Sequence, residues 1–256
     1  DYGGVMSVKN PDREALAHGR ITNETIRPKP GIPSWALKLT MAITGLFFAL
    51  FVVGHMAGNL KLYLPAHDGQ EAIDAYGAFL RSMGDPLIPS GHLLWIIRIV
   101  LLACVIAHIY GAFALTARSS AARGKFKRTN LMGGLDSFAT KTMLVTGIVL
   151  LLFIVFHILD LTMGVQPVAP EAFAHGAVKA NMIATFSRWP VTIIYIIAML
   201  CLFLHLTHGI RLAASDLGIT GAKWREVFVI LAYIVPAVVC LANIVMPLSV
   251  ALGWVS

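Results

Sequence analysis

The sequence contains several uninterrupted apolar segments, each long enough to cross a lipid bilayer. A helix needs roughly 20 apolar residues to span the hydrocarbon core, and 57% of the 256 residues are hydrophobic while only 13% are charged. Apolar runs bounded by proline, glycine or charge predict an all-α fold, a bundle of five transmembrane helices. The predicted helices are residues 35–63, 91–117, 137–164, 187–212 and 224–252.

The other segments are too short to form a soluble domain. Residues 1–34 are predicted to be a cytoplasmic N-terminal tail, which is polar and ends in the proline-rich stretch RPKPGIPSW. Residues 35–256 are predicted to form one transmembrane domain. The start, DYGGVMSVKN, lacks the apolar core of a signal peptide, so we expect the first spanning helix to act as its own insertion signal.

Basic residues are unevenly distributed between the two sides of the predicted bundle. They are concentrated in the tail and in the loops after the second and fourth helices, and they are sparse in the other two loops. The positive-inside rule therefore predicts a cytoplasmic N-terminus and an outside C-terminus, in a multi-pass protein of the plasma membrane. The net charge of +7 follows this membrane pattern, and no nucleic-acid-binding motif accompanies it, so no nucleic-acid partner is expected.

Four histidines lie inside four different predicted helices. The first and third helices run outward, so His55 and His157, late in those helices, are expected in the outer half of the membrane. The second and fourth run inward, which places His108 and His205 in the inner half. One intramembrane histidine often only hydrogen-bonds a neighbouring helix, but two pairs matched in depth are costly to bury without a function. Histidines paired across a bundle are typical of axial haem ligation or of another metal site.

Several stretches resemble a known family. GHMAGNLKLYLP, the following EAIDAYGAFLRSMG, the tandem HLTHG and the five-helix layout are similar to the single-chain cytochrome b membrane anchor of succinate:quinone oxidoreductases and fumarate reductases. The resemblance implies two b haems stacked across the membrane, with His55, His108, His157 and His205 at the matching positions. It also implies a flavoprotein and an iron–sulfur subunit as partners on the cytoplasmic face, and electron exchange with a quinone.

Two cysteines, which the resemblance does not require, lie one helical turn before the inner histidines. Cys104 precedes His108 by four residues, as Cys201 precedes His205, and residues four apart share a helix face. Two such arms predict a Cys2His2 site, which suits a Rieske-type [2Fe–2S] cluster or tetrahedral zinc. In an electron-transfer subunit the redox-active cluster is the preferred interpretation. The alternative is haem b at the same histidines, with the cysteines as small residues packed on its face.

The outer pair has no neighbouring cysteines. The resemblance implies haem b at His55 and His157, and a quinone head group hydrogen-bonded by these imidazoles is the alternative. Other polar residues in the predicted helices or at their ends are candidates for contacts with a quinone or a haem propionate: Arg98, Asp160, His208 and Arg211.

The sequence therefore favours the membrane anchor and electron-transfer subunit of a succinate dehydrogenase, which passes electrons from a cytoplasmic iron–sulfur subunit through an intramembrane redox centre to a quinone. The dicarboxylate chemistry is expected on a partner subunit. One alternative is the dihaem cytochrome b anchor of another dehydrogenase. A second, from a different class, is a transporter whose histidines relay protons. Against it, the sequence has no inverted repeat and no mid-membrane helix break in matching halves, although Pro236 and Pro247 interrupt the fifth helix.

Overall fold

The computed structural model of the protein describes residues 31–123 and 134–256. These residues form seven α-helices: α1 (Ser34–Asn59), α2 (Ala72–Ser82), α3 (His92–Arg123), α4 (Gly134–His157), α5 (Val178–Phe186), α6 (Trp189–Asp216) and α7 (Ala222–Ala251). A 3₁₀ turn, Leu60–Tyr63, extends α1, and a π-helical turn, Ile158–Met163, extends α4.

Five of these helices, α1, α3, α4, α6 and α7, are long and apolar enough to cross a membrane, which confirms the predicted all-α fold with five spans. The second and fourth spans continue to Ala122 and Asp216, past their predicted ends at 117 and 212. Charged residues end an apolar segment without ending its helix, which explains the difference. The short helices α2 and α5 were not predicted. Residues 1–30 of the predicted tail lie outside the described residues, and the sidedness of the termini stays a prediction.

Helix α6 is the centre of the bundle. It packs against α7, α4 and α1, and α1 also packs against α3. Helices α3 and α4 are not among the closely packed neighbours of the described chain, and the same holds for the pairs α1 with α4 and α3 with α6. These two pairs therefore face each other across the diagonals of a four-helix arrangement, with α7 packed outside it against α6.

Threonine hydroxyls inside the spans satisfy their hydrogen-bonding needs within their own helices. Thr44 donates to the Thr40 carbonyl at 2.7 Å, and Thr146 donates to the Thr142 and Met143 carbonyls at 3.1 and 3.0 Å. A bilayer supplies no water to polar groups. A threonine that has donated its hydrogen in this way still offers its oxygen as an acceptor to a neighbouring helix.

Helices α2 and α5 meet at the end of the bundle where α1 and α4 finish, which we call the outer end after its predicted orientation. The Lys179 amide, in the first turn of α5, donates to Asp74 of α2 at 2.9 Å, and the Lys179 ammonium pairs with Glu71 at 3.2 Å. A carboxylate at a helix N-terminus satisfies an amide that has no partner within the helix. The two helices are thus held together over the outer end.

Gly58, near the end of α1, is the contact point for α2. A Cβ atom at this position would lie 2.5 Å from Cε1 of Tyr76, whose ring also lies under the Lys61 ammonium at 5.5 Å. An aromatic ring confined on both sides has little room to move. Residue 58 must therefore be a glycine for α2 to approach this closely.

Replacing Gly58 by alanine should lower the stability of the protein, because the added methyl group collides with the Tyr76 ring and such overpacking costs about 1–3 kcal/mol. Gly209→Ala is a matched control, since its Cβ would meet Met143 at an ordinary 3.6 Å. Thermal unfolding in detergent should show a lower midpoint for the first variant only. Equal midpoints for the two variants would contradict the contact.

Candidate functional site

The structure brings together the two histidine pairs that were predicted from depth alone. The ring centroids of His55 and His157 lie 5.7 Å apart, across the α1–α4 diagonal, and those of His108 and His205 lie 6.3 Å apart, across the α3–α6 diagonal. The ring planes of the two pairs are inclined by 87° and 57°, respectively. Each pair therefore bridges helices whose backbones are not packed against each other.

Hydrogen bonds to threonine define the tautomer of the inner histidines. Nδ1 of His108 lies 2.9 Å from Oγ1 of Thr44, and Nδ1 of His205 lies 3.3 Å from Oγ1 of Thr146. Both hydroxyls have already donated their hydrogen to a helix carbonyl, so in these bonds Nδ1–H donates and the hydroxyl oxygen accepts. Each imidazole is then left with the lone pair on Nε2, which is the nitrogen that binds a metal in this tautomer.

His157 in the outer pair is oriented in the same sense by a different group. Its Nδ1 lies 3.1 Å from the hydroxyl of Tyr195, which donates its own hydrogen to Oδ2 of Asp160 at 3.2 Å. The tyrosine oxygen therefore accepts from Nδ1–H, and Nε2 again keeps its lone pair. Three of the four histidines thus share one tautomer, each set by a hydroxyl on another helix.

An internal sequence repeat underlies these similarities. Residues 40–55 are TMAITGLFFALFVVGH and residues 142–157 are TMLVTGIVLLLFIVFH, with eight identical positions, so α1 and α4 have the same pattern. Both copies place a threonine–glycine pair against an inner histidine and a histidine in the outer pair. In each copy a phenylalanine, Phe51 or Phe153, stacks on the outer histidine of its own helix at 5.6 and 5.8 Å.

The glycines of the repeat are close to the inner imidazoles. A Cβ atom at Gly45 would lie 3.5 Å from Cε1 of His108, and one at Gly147 would lie 3.3 Å from Cε1 of His205. Side chains larger than a methyl group at these positions would displace the rings. The repeat therefore supplies both the acceptor that orients each inner histidine and the space that it occupies.

The paired imidazoles fit a flat group with a metal at its centre. A metal bound in line by two imidazole nitrogens at about 2 Å keeps the ring centroids roughly 6 Å apart, and the two pairs lie at 5.7 and 6.3 Å. The lack of close backbone packing between the paired helices and the Nε2 lone pairs agree with such a group. Haem with two axial histidines meets these conditions.

The predicted Cys2His2 ligand set is not supported by the structure. No three His, Cys, Asp or Glu side chains in the described residues converge closely enough to hold a metal ion, although Cys104, His108, Cys201 and His205 all lie among them. The hydrogen bonds between Nδ1 and threonine also fix the orientation of the imidazoles across the bundle.

The remaining candidate residues lie at the two ends of the bundle. The guanidinium of Arg98 lies 5.0 Å from the ring centroid of Trp95, and that of Arg211 lies 5.9 Å from the ring of Tyr233. Nδ1 of His208 lies 3.1 Å from the hydroxyl of Thr140. Asp160 is linked to the outer pair by hydrogen bonds through Tyr195.

Sequence reasoning missed the groups that orient the histidines: Thr44, Thr146, Tyr195 and Arg188. The threonines could have been found by aligning the chain with itself, because each precedes the outer histidine of its copy by the same interval. Tyr195 leaves no comparable signal, since its partners lie far from it in sequence and its role depends on how α4 and α6 pack.

One family model matches the chain. Residues 123–245 match the model of the succinate dehydrogenase/fumarate reductase transmembrane subunit. The matched segment contains α4 to α6 and most of α7, and therefore His157 and His205. The other two histidines precede it: His55 lies on α1, which contains the first copy of the repeat, and His108 lies on α3. Neither a curated protein nor a solved structure matches the chain. The match covers just under half of the chain, and together with the five apolar helices it supports a multi-pass membrane anchor subunit of the succinate dehydrogenase/fumarate reductase type.

Proposed function

We propose that this chain is the electron-transfer membrane anchor of a succinate:quinone oxidoreductase, and that its two histidine pairs hold two b haems between the cytoplasmic iron–sulfur subunit and a membrane quinone. The observation that carries the proposal is the facing of two imidazole pairs, each across a diagonal of the bundle. The family is of the cytochrome b type, which agrees with haem and quinone chemistry.

The role of the chain's own residues follows from their contacts. A haem held by these histidines would supply a one-electron redox centre. His108 and His205 would hold the inner group, with Thr44 and Thr146 fixing their tautomer. His55 and His157 would hold the outer group, with Phe51 and Phe153 stacked on the two rings.

Haem accounts for the inner pair better than the Rieske-type cluster that the cysteines suggested. Haem needs only the two histidines, and both present Nε2, whereas the cluster needs two thiolates at the same point. Cys104 and Cys201 are half-buried free thiols, and a small side chain one turn from an axial ligand is compatible with packing against a haem face.

The partner subunits are expected at the inner end of the bundle, where charged groups lie at the helix ends. Arg118 donates to the Ser34 hydroxyl at 3.0 Å and to the Ile32 carbonyl at 2.7 Å, which ties α3 to the start of α1. Lys38 pairs with Asp216 at 3.8 Å and ties α1 to the end of α6. These contacts give the inner end a fixed, basic surface on which a soluble iron–sulfur subunit can dock.

The alternatives from the sequence have less support. The matched family covers succinate and fumarate oxidoreductases, which argues against the anchor of an unrelated dehydrogenase. A proton-relaying transporter would need its histidines linked along the membrane, whereas these histidines face each other in two separate layers.

The chain should purify together with a flavoprotein and an iron–sulfur protein, and the complex should reduce a quinone at the expense of succinate. Co-purification from membranes followed by a succinate-dependent quinone assay measures both. Isolation of the intact chain alone from mild detergent, without this activity in the membranes, would refute the assignment to the complex.

His205→Ala and His157→Ala should each abolish one b-type absorbance band and leave the other. Each change removes one axial ligand and should lower quinone reduction at least about tenfold, the lower range for loss of metal-site interactions. His208→Ala is a matched control on the same helix, since its Nδ1 contacts Thr140 instead of a paired histidine, and it should keep both bands. Retention of both bands in the first two variants would exclude haem at these residues.

Replacing Cys104 and Cys201 by serine should leave both b-type bands and the acid-labile sulfide content of the complex unchanged, because the haem assignment gives the thiols no ligand role. Absorbance spectroscopy and sulfide analysis against the unmodified complex provide the measurement. A loss of sulfide with retained subunit composition would instead establish the Rieske-type cluster.

A further inference from the structure

An uninterrupted line of hydrogen bonds runs from the outer histidine pair to the outer end of the bundle. It starts at Nδ1 of His157, passes through the Tyr195 hydroxyl to Oδ2 of Asp160, and continues from Oδ1 of Asp160 to the Arg188 guanidinium at 2.6 Å. Thr185 also donates to Oδ1 at 3.3 Å. All three polar partners of Asp160 come from other segments of the chain, so the line joins the end of α4 to the start of α6.

The carboxylate of Asp160 is completely buried, with 0% of its surface exposed. A buried charge is stable only when it is paired and hydrogen-bonded. Arg188 supplies the opposite charge and is itself held by the Val168 carbonyl at 2.7 Å. The π-helical turn Ile158–Met163 carries Asp160 at the end of α4, and turns of this kind occur frequently at functional sites.

Tyr195 is held rigidly between Asp160 and His157. Its ring makes edge contacts with Phe153 and Phe186, each at 4.9 Å, and with Phe156 at 6.2 Å. A ring packed on several sides keeps its hydroxyl at one point. The hydroxyl therefore has a defined donor direction, toward the carboxylate, and a defined acceptor direction, toward Nδ1–H.

We propose that Tyr195 and Asp160, locked by Arg188, are positioning residues that fix the tautomer of His157 and increase the electron donation of its Nε2 to the group bound at the outer pair. This inference rests on the proposed haem at His55 and His157. None of the three residues contacts the position between the imidazoles; each acts through His157.

The direction of the effect follows from the hydrogen bonds. The tyrosine donates its hydrogen to a carboxylate, which makes its oxygen a stronger acceptor because hydrogen bonds in a chain polarise one another. The stronger acceptor pulls on the Nδ1 hydrogen and makes the imidazole a more basic ligand. A more basic ligand stabilises the oxidised, more positive state of a metal, so the line lowers the midpoint potential of the outer couple.

The line is confined to one side of the outer pair. Three residues past the end of the first copy of the repeat lies Gly58, which packs against Tyr76, and Asp160 lies at the same distance past the second copy. The inner histidines donate to threonine oxygens whose hydrogens go to backbone carbonyls, which are neutral acceptors. Only the outer couple should therefore respond when the line is broken, and the inner couple serves as an internal reference.

Redox titration of the whole complex, followed by absorbance, tests the proposal. Tyr195→Phe keeps the ring and removes the hydroxyl, and it should raise the midpoint potential of the outer couple by about 59 mV for a tenfold shift in its oxidised-to-reduced ratio. The outer couple is identified as the band that His157→Ala removes. Asp160→Asn, which removes the charge and keeps the side-chain shape, should raise the same potential and provides a second variant if the first does not assemble.

Tyr63→Phe is the matched control. Its hydroxyl contacts Ser249 at 2.9 Å, at the same end of the bundle, without contact to either histidine pair, so both potentials should stay unchanged. An outer potential unaltered in Tyr195→Phe or Asp160→Asn, with both bands present, would overturn the inference and leave the proposed function intact. The absence of any b-type band in the unmodified complex would instead overturn the proposed function.

Discussion

A lipid bilayer offers no hydrogen-bonding partner to a polar side chain, and this constraint shapes every part of the site. His108, His205 and His157 each find an acceptor for Nδ1 on another helix: Thr44, Thr146 and Tyr195 supply the oxygens. Because these hydroxyls have already given their hydrogens away, the direction of each bond is determined. The hydrogen bond from Nδ1 thus leaves the Nε2 lone pair available to bind a metal. Because the acceptors lie on other helices, the packing of the helices determines the chemistry of the site.

The internal repeat explains why there are two pairs and why they lie at two levels. Residues 40–55 and 142–157 share the spacing from a threonine–glycine pair to a histidine. The threonine and glycine serve the inner imidazoles on α3 and α6, while the histidine at the end of the copy belongs to the outer pair. One repeated segment therefore contributes to both levels. The arrangement across diagonals follows, since equivalent helices α1 and α4 flank α6 without packing against each other.

Much of the fold could be predicted from the sequence because hydropathy and length dominate in a membrane. The five spans and the two histidine pairs follow from apolar runs and from the depth of each residue. The continuation of the second and fourth helices past residues 117 and 212 could not be predicted, because polar residues end an apolar segment while the helix itself continues. The cysteine prediction used helix faces alone, and the structure does not gather the two cysteines with the two histidines into one group. Tyr195 and Arg188 act through partners distant in sequence, which periodicity does not reveal.

The departures from the repeat distinguish two sites that otherwise share a design. Three residues after the first copy the chain has Gly58, and three residues after the second it has Asp160. A buried carboxylate is tolerated there only because Arg188 reaches it from the start of α6. A glycine allows α2 to pack closely, whereas an aspartate allows a charged line to His157. The same position thus serves helix packing in one copy and the electronic environment of a histidine in the other. Because the cost of burying Asp160 must be offset by its hydrogen bonds, the ion pair and the orientation of His157 depend on each other. The two halves of the bundle therefore differ in chemistry at the outer level, while the threonine-bound inner level keeps the symmetry of the repeat.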